Sequence, residues 1–164
     1  METLDASEVI DRFGLEFFRE QSTFGALSDE VIVDLLYEGT IIKLNKGEYI
    51  ARYDEEAADF QIVLQGELAY YKHCNGHDVL TRHFRQGEQV GFDEMIGLIN
   101  RDGTDVATRE SLLLTISSQL FFDLHVKYPA MFGIFMINLA RELSREIEIL
   151  EDVIGKGTGW EPGA

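Results

Sequence analysis

The chain of 164 residues contains one cysteine, two prolines and one tryptophan, and only 14 lysines and arginines against 30 aspartates and glutamates. The single thiol, Cys74, excludes an intramolecular disulfide and leaves a thiolate metal site short of ligands. The shortage of cations gives a net charge of −16. Affinity for duplex DNA comes chiefly from lysine and arginine neutralising phosphates, so direct nucleic-acid binding is not expected. A small anionic ligand meets the same field, but screening over about 8 Å in physiological salt confines the penalty to nearby charges. There is no run of about 18 apolar residues, so no membrane span is expected. The segment Met1-Glu2-Thr3-Leu4-Asp5 lacks the basic-then-apolar pattern of an export signal, which makes the cytoplasm the expected location. With 45% hydrophobic and 11% aromatic residues, the expectation is one globular domain with a real core.

Glycines organise the middle of the chain. Lys46-Gly47-Glu48, Gln65-Gly66-Glu67, Gln86-Gly87-Glu88 and Val90-Gly91 punctuate short apolar runs. Glycine reaches positive φ without steric cost, so turns about every twenty residues predict a small antiparallel β structure. The runs are Ile41–Leu44, Tyr49–Ala51, Phe60–Leu64, Leu68–Tyr71, Val79–Thr81 and Leu112–Ile116. Within one of them Phe60, Ile62 and Leu64 share a face at period two. Asn75-Gly76 predicts a hairpin, with a loop expected to exceed two residues. The sheet is expected to be antiparallel and closed on itself.

Helical patterns flank this region. Val9, Ile10, Phe13 and Phe17 predict a helix from about Ala6 to Gln21, and the phenylalanines there read as packing. Ser28 is placed to cap a second helix, with Asp29 and Glu30 at its positive end and Gly39 at its stop. A short helix over Gln119–His125 leads to Pro129, which suits the first turn of a long helix. Along 129–154, Phe132, Met136, Leu139, Leu143, Ile147, Leu150 and Ile154 recur at spacings of three and four, a coiled-coil type of seam. Its first half is expected on the β body, its second half against a partner helix in a homodimer.

In this order the pieces resemble the regulatory domain of the catabolite activator protein family over roughly 24–154. Leu27-Ser28-Asp29-Glu30 is similar to that family's opening helix, and Gly47-Glu48-Tyr49-Ile50 to its first strand entry. Phe60 to Leu68 resembles its central hairpin, Gly87-Glu88 precedes the ligand cassette, and Leu139-Ala140-Arg141-Glu142-Leu143 resembles its long-helix run. The resemblance implies a mainly β double-stranded β-helix (jelly roll) with N-terminal helices and a long C-terminal helix. It divides the chain into an N-terminal helical segment 1–23, a cyclic-nucleotide-binding-like domain 24–154 and a flexible tail 155–164. It also implies a regulatory or sensor role, without catalysis or a cofactor, whose ligand is a cyclic nucleotide or another small anion.

The family's phosphate-binding cassette aligns with Gly91, Phe92, Asp93 and Glu94 and then with Arg101, Asp102 and Thr104, which are therefore the candidate ligand residues. Gly91 and Arg101 match the pattern. Phe92 stands where the family has a glutamate for the ribose hydroxyl, and a ring cannot accept that hydrogen bond, at a cost of about 1–3 kcal/mol. Asp93 and Glu94 sit at the helix N-terminus that a phosphate would use. Arg101 has two readings: a phosphate contact, or a salt bridge to Asp102, Asp105 or Glu94. The positions nearest the base are Glu146 and Ile147, read more simply as a solvated charge and as a core or dimer residue. The rival function is a protein-interaction module that keeps the roll and has lost the nucleotide. A DNA-binding activator of this family needs a further basic domain for which little chain remains after Ile154. His73-Cys74-Asn75-Gly76-His77 reads as a hairpin tip rather than a metal site, and neither a cupin-type metal cluster nor a nucleophile elbow is found.

Overall fold

Alternation along one strand decides the architecture. In β4 (Asp59–Gln65), Phe60, Ile62 and Leu64 point to one side and Val63 to the other, and all four are fully buried. A strand apolar on both faces must be sandwiched, and the computed structural model, which describes residues 1–158, places β4 inside a five-stranded sheet covered on both sides. That sheet runs in the order β1 (Glu2–Leu4), β2 (Thr40–Leu44), β9 (Ser111–Ser117), β4 and β7 (Gln89–Val90). The second sheet has four strands, β3 (Tyr49–Ala51), β8 (Gly103–Ala107), β5 (Glu67–Cys74) and β6 (His77–Arg85). Every pairing is antiparallel, as expected. The register Phe60↔Ile116 and Ile62↔Leu114 keeps one face apolar across β4 and β9, while Val63↔Leu113 faces the second sheet.

The first face is covered by helices: α1 (Ala6–Arg19), α2 (Asp29–Glu38), α4 (Ser118–Lys127) and α5 (Pro129–Thr158). Ser28 Oγ accepts from Val31 N at 3.4 Å and Ser117 Oγ from Leu120 N at 3.1 Å, capping α2 and α4. The short α3 (Phe92–Gly97) lies between the sheets and the helices. No helix among the described residues is long and apolar enough to cross a membrane.

Three turns repeat the glycine pattern, with φ of 87°, 100° and 87° at Gly47, Gly66 and Gly87. At Gly66 a Cβ would also lie 2.3 Å from Ser111 Oγ and 2.6 Å from its Cα, so packing and dihedral both require glycine. The hairpin at Asn75-Gly76 is tighter than expected. β5 runs to Cys74 and β6 starts at His77, leaving a two-residue loop with φ of 51° and 78°, the doubly positive form whose twist suits a hairpin.

Two boundaries differ from the sequence reading. Residues 1–23 are not solely helical: Glu2–Leu4 pair with β2, and α1 breaks at Gly14 (φ 74°) before Phe18 enters the main core. The last helix passes Ile154 to reach Thr158. Gly155 and Gly157 each cost about 1 kcal/mol in a helix. The Asp152–Lys156 pair at 2.9 Å, in the favourable i,i+4 order, supports the added turn. The rest of the expected tail, 159–164, lies outside the described residues. Over its first half α5 buries Phe135 and Leu139, and Asn138 Nδ2 donates to the carbonyls of Thr23 (3.2 Å) and Gly25 (2.7 Å). From Ile147 onward its apolar side chains Leu150, Val153 and Ile154 are exposed.

Candidate functional site

Between the two sheets, under α3 and α5, lies a cavity of about 300 Å³. Its walls come from β5, β6, β7, β8, α3 and α5, and its chemistry follows from how their charges pair.

Gly91 begins α3 with φ 78°, and a Cβ there would meet Arg101 Nη1 at 2.0 Å. The missing side chain lets the guanidinium lie against the backbone. Arg101 Nη1 donates to Gly91 O at 3.2 Å and to Glu94 Oε2 at 2.9 Å, and Nη2 donates to Asp59 O at 2.6 Å and Asp59 Oδ1 at 2.8 Å. Arg101 and Glu94 are each only 4% exposed. Burial raises the Glu94 carboxyl above the usual carboxylate range, against the opposing pull of Arg101. A buried pair of this kind is worth little beyond what its desolvation costs, but removing one partner strands the other at about 3–5 kcal/mol.

The other cations of the wall are likewise taken. Asp102 accepts from Lys72 Nζ and the Tyr70 hydroxyl, and its backbone N–H donates to Glu94 Oε1 at 2.9 Å. Burial works against its charge, yet the Lys72 and Tyr70 hydrogen bonds prevail and hold its carboxyl below the usual range. Arg82 Nη1 lies 2.6 Å from Glu146 Oε1, which also accepts from Gln89 Nε2 at 2.9 Å. Gln89 Oε1 in turn accepts from Phe92 N at 3.0 Å, so one chain of hydrogen bonds links the start of α3 to α5. Burial pushes Glu146 up to about 7 despite Arg82. Glu146 is therefore not the solvated charge expected; its side chain is drawn to the cavity wall by Arg82, while Ile147 points outward and is exposed.

Asp105 is different. It is 3% exposed, its Oδ1 is buried with no hydrogen-bond partner, and it lines the cavity. Burial, reinforced by the Glu94 charge, pushes its carboxyl up to about 8.

Of the residues singled out in the sequence, Gly91, Asp93, Glu94 and Asp102 line this cavity. Phe92, Arg101 and Thr104 lie off its wall. Phe92 turns to the helical side, with ring centroids 5.2 Å from Phe60 and 5.6 Å from Phe121, because Phe92 and Met95 form the core-facing side of α3. Arg101 sits behind the wall with Glu94 and Asp59, the first among the alternatives foreseen and the second not. Thr104 Oγ1 accepts from Tyr53 N at 3.3 Å and holds a loop. The sequence reading missed Tyr70, Lys72 and Arg82, and named Asp105 only as a partner for Arg101. Period two carries part of that signal: Leu68 is interior, so Tyr70 and Lys72 share its face, and Ala107 similarly implies Asp105. At the hairpin end Cys74 is exposed and His73 Nδ1 lies 2.8 Å from Asp78.

Known proteins carry the same frame. In solved structures, a cyclic nucleotide-binding domain from Methylobacillus flagellatus KT aligns at a TM-score of 0.79 and 19% identity, over 94% of this chain and 88% of that one. The catabolite activator protein of Thermus thermophilus aligns at 0.67 and 18% identity, over 82% and 63%. Among curated proteins, the lysophospholipase NTE1 of Cryptococcus neoformans var. neoformans serotype D is 28% identical over 105 residues, 64% of this chain. The chain spans about 6% of the length of that relative. The sequence model of the cyclic nucleotide-binding domain matches residues 41–128, from β2 to the end of α4, and with the two-sheet roll, α3 and the long final helix in place, the chain belongs to that family.

Proposed function

We propose that this chain is a regulatory domain whose cavity is read out through α5, and that Arg101 serves the fold instead of gripping a cyclic phosphate. The supporting observation is the enclosure of Arg101 by Glu94, Asp59 and the Gly91 carbonyl. A phosphate entering there must displace Glu94 from the guanidinium, which leaves a buried carboxylate without its partner, or Asp59, whose side chain is partly exposed and loses less. The route from cavity to α5 is the bridge between Arg82 and Glu146. A catalytic role is not proposed, since the stretch shared with the esterase-type relatives is about 6% of their length. The test is thermal denaturation of the chain with cyclic AMP and cyclic GMP. A ligand at one hundred times its dissociation constant stabilises by about 2.7 kcal/mol. No saturable shift is expected, and one that saturates with either nucleotide refutes the reading.

A second reading, as an interaction module, is favoured by the far half of α5. Ile147, Leu150 and Ile154 keep the three-and-four spacing and are exposed by 57%, 49% and 63%. We propose that this stripe pairs with its copy in a homodimer. Light scattering at two protein masses distinguishes the states, and Ile154→Asp should shift a dimer to monomer.

A further inference from the structure

The cations around the cavity are all matched: Lys72 with Asp102, Arg82 with Glu146, Arg101 with Glu94 and Asp59. Two carboxylates on the wall remain over, Asp105 at the base and Asp93 on the exposed side of α3, and neither has a salt-bridge partner among the described residues. A site for an anion would leave the opposite surplus. Asp105 is the sharper observation: of the five buried side-chain atoms without a partner among the described residues, its Oδ1 alone belongs to a residue of this wall, and such an atom costs about 1–3 kcal/mol. A ligand that completes its hydrogen bonding brings a donor.

The rest of the wall restricts the class. Tyr70, Phe84, Val90 and Leu150 give the cavity an apolar side, which suits a hydrocarbon or aromatic body. A divalent metal fits poorly, since among the described residues no three histidine, cysteine, aspartate or glutamate side chains are grouped as its ligands. A volume of about 300 Å³ is at the small end of ligand pockets.

From these observations we infer that the cavity is a binding site for a small organic cation, an ammonium or amidinium on a compact apolar body, whose charged end donates to Asp105 while Asp93 attracts it at the mouth. The inference rests on the reading that Arg101 is closed to anions. The ammonium replaces the missing partner of Asp105, whose proton passes to solvent on binding, and its charge is then countered by two carboxylates that have no salt-bridge partner among the described residues. A charge-assisted hydrogen bond in this setting distinguishes an amine from its neutral isostere.

Isothermal titration of the full chain with 2-phenylethylammonium, 2-phenylethanol and 3-phenylpropanoate tests it. The ammonium should bind about tenfold tighter than the alcohol, the carboxylate should not bind, and Asp105→Asn should weaken the ammonium about fivefold or more. Asp93→Asn, at an exposed position, should weaken it about two- to threefold, and it decides the matter if Asp105→Asn does not fold. Equal affinity for ammonium and alcohol overturns the inference, as does a carboxylate that binds better, no binding of the ammonium, or an unchanged affinity in both variants. A parallel titration with cyclic AMP separates the two claims: heat from cyclic AMP strikes the reading of Arg101, whereas failure of the ammonium arm with silent cyclic AMP strikes only the cation site.

Discussion

The two faces of the five-stranded sheet are built from opposite materials. On the helical side Phe60, Phe92 and Phe121 lie edge to face with centroids 5.2–5.8 Å apart, Phe135 packs at a tilt 6.4 Å from Phe60 and 6.2 Å from Phe121, and Ile62, Leu114 and Ile116 belong to the same core. On the roll side a smaller apolar cluster around Leu44, Val63, Leu68 and Leu113 gives way to a wall of buried and half-buried charges. Full burial of each large apolar side chain contributes about 1.5–3 kcal/mol, so the first face carries the stability. Buried ion pairs at best offset their own desolvation, so the second face adds constraint rather than stability. Residues that the fold retains there at an energetic cost are candidates for function.

The comparison is broken most directly at its strongest point. Phe60→Ala should lower stability by about 3–5 kcal/mol in urea titration, since it removes the ring at the centre of the phenylalanine cluster. A loss under about 1 kcal/mol would mean that the helical side is not the dominant core. On the charged side, Arg101→Met should cost about 3 kcal/mol by stranding the buried Glu94, and the double change Arg101→Met with Glu94→Leu should recover part of it. Strict additivity of the two would show that the pair is not coupled.

Smaller effects sharpen the contrast. Gly91→Ala forces a Cβ toward the Arg101 guanidinium at positive φ and should cost about 1–3 kcal/mol. Its Tm should fall, whereas Gly133→Ala, where a Cβ meets nothing, should raise helix stability by about 1 kcal/mol. The pH response is specific to the roll side. Folding raises Asp105 from 3.8 to about 8 and Glu146 from 4.5 to about 7, so the folded state holds protons that the unfolded chain releases. The associated stability is complete below about pH 4 and declines as pH rises toward about 8. Tm should therefore fall across that window, by roughly 2–4 °C per kcal/mol in a chain of this size. Asp105→Asn should flatten the decline and raise Tm at pH 8; an unchanged slope would show that Asp105 titrates normally.

The same division explains what was legible in the sequence. Strands and turns were readable because Gly47, Gly66 and Gly87 mark them locally, and Phe60, Ile62 and Leu64 alternate visibly. Ser28 and Pro129 placed two helix starts for equally local reasons. The charged wall was not legible in full, because its pairs join distant segments: Arg101 to Asp59, Arg82 to Glu146, Tyr70 to Asp102. Aligning the cassette by its glycine and arginine put Phe92 in the ligand's place, whereas the periodicity of α3 sends it into the core with Met95. Glu146 looked solvated because a lone acid in a helix gives no local sign of a partner on a strand. Asp105 was seen as a possible mate for Arg101 and is instead without one at Oδ1.

The long helix touches the cavity through Glu146 and Leu150 alone, one turn apart, and continues to Thr158. Twelve further residues at 1.5 Å each extend about 18 Å past Glu146, so a tilt of about 10° about that contact sweeps the far end through about 3 Å. On the proposed readout through α5, the rim contact is the fulcrum of a lever whose far end travels further than the contact itself.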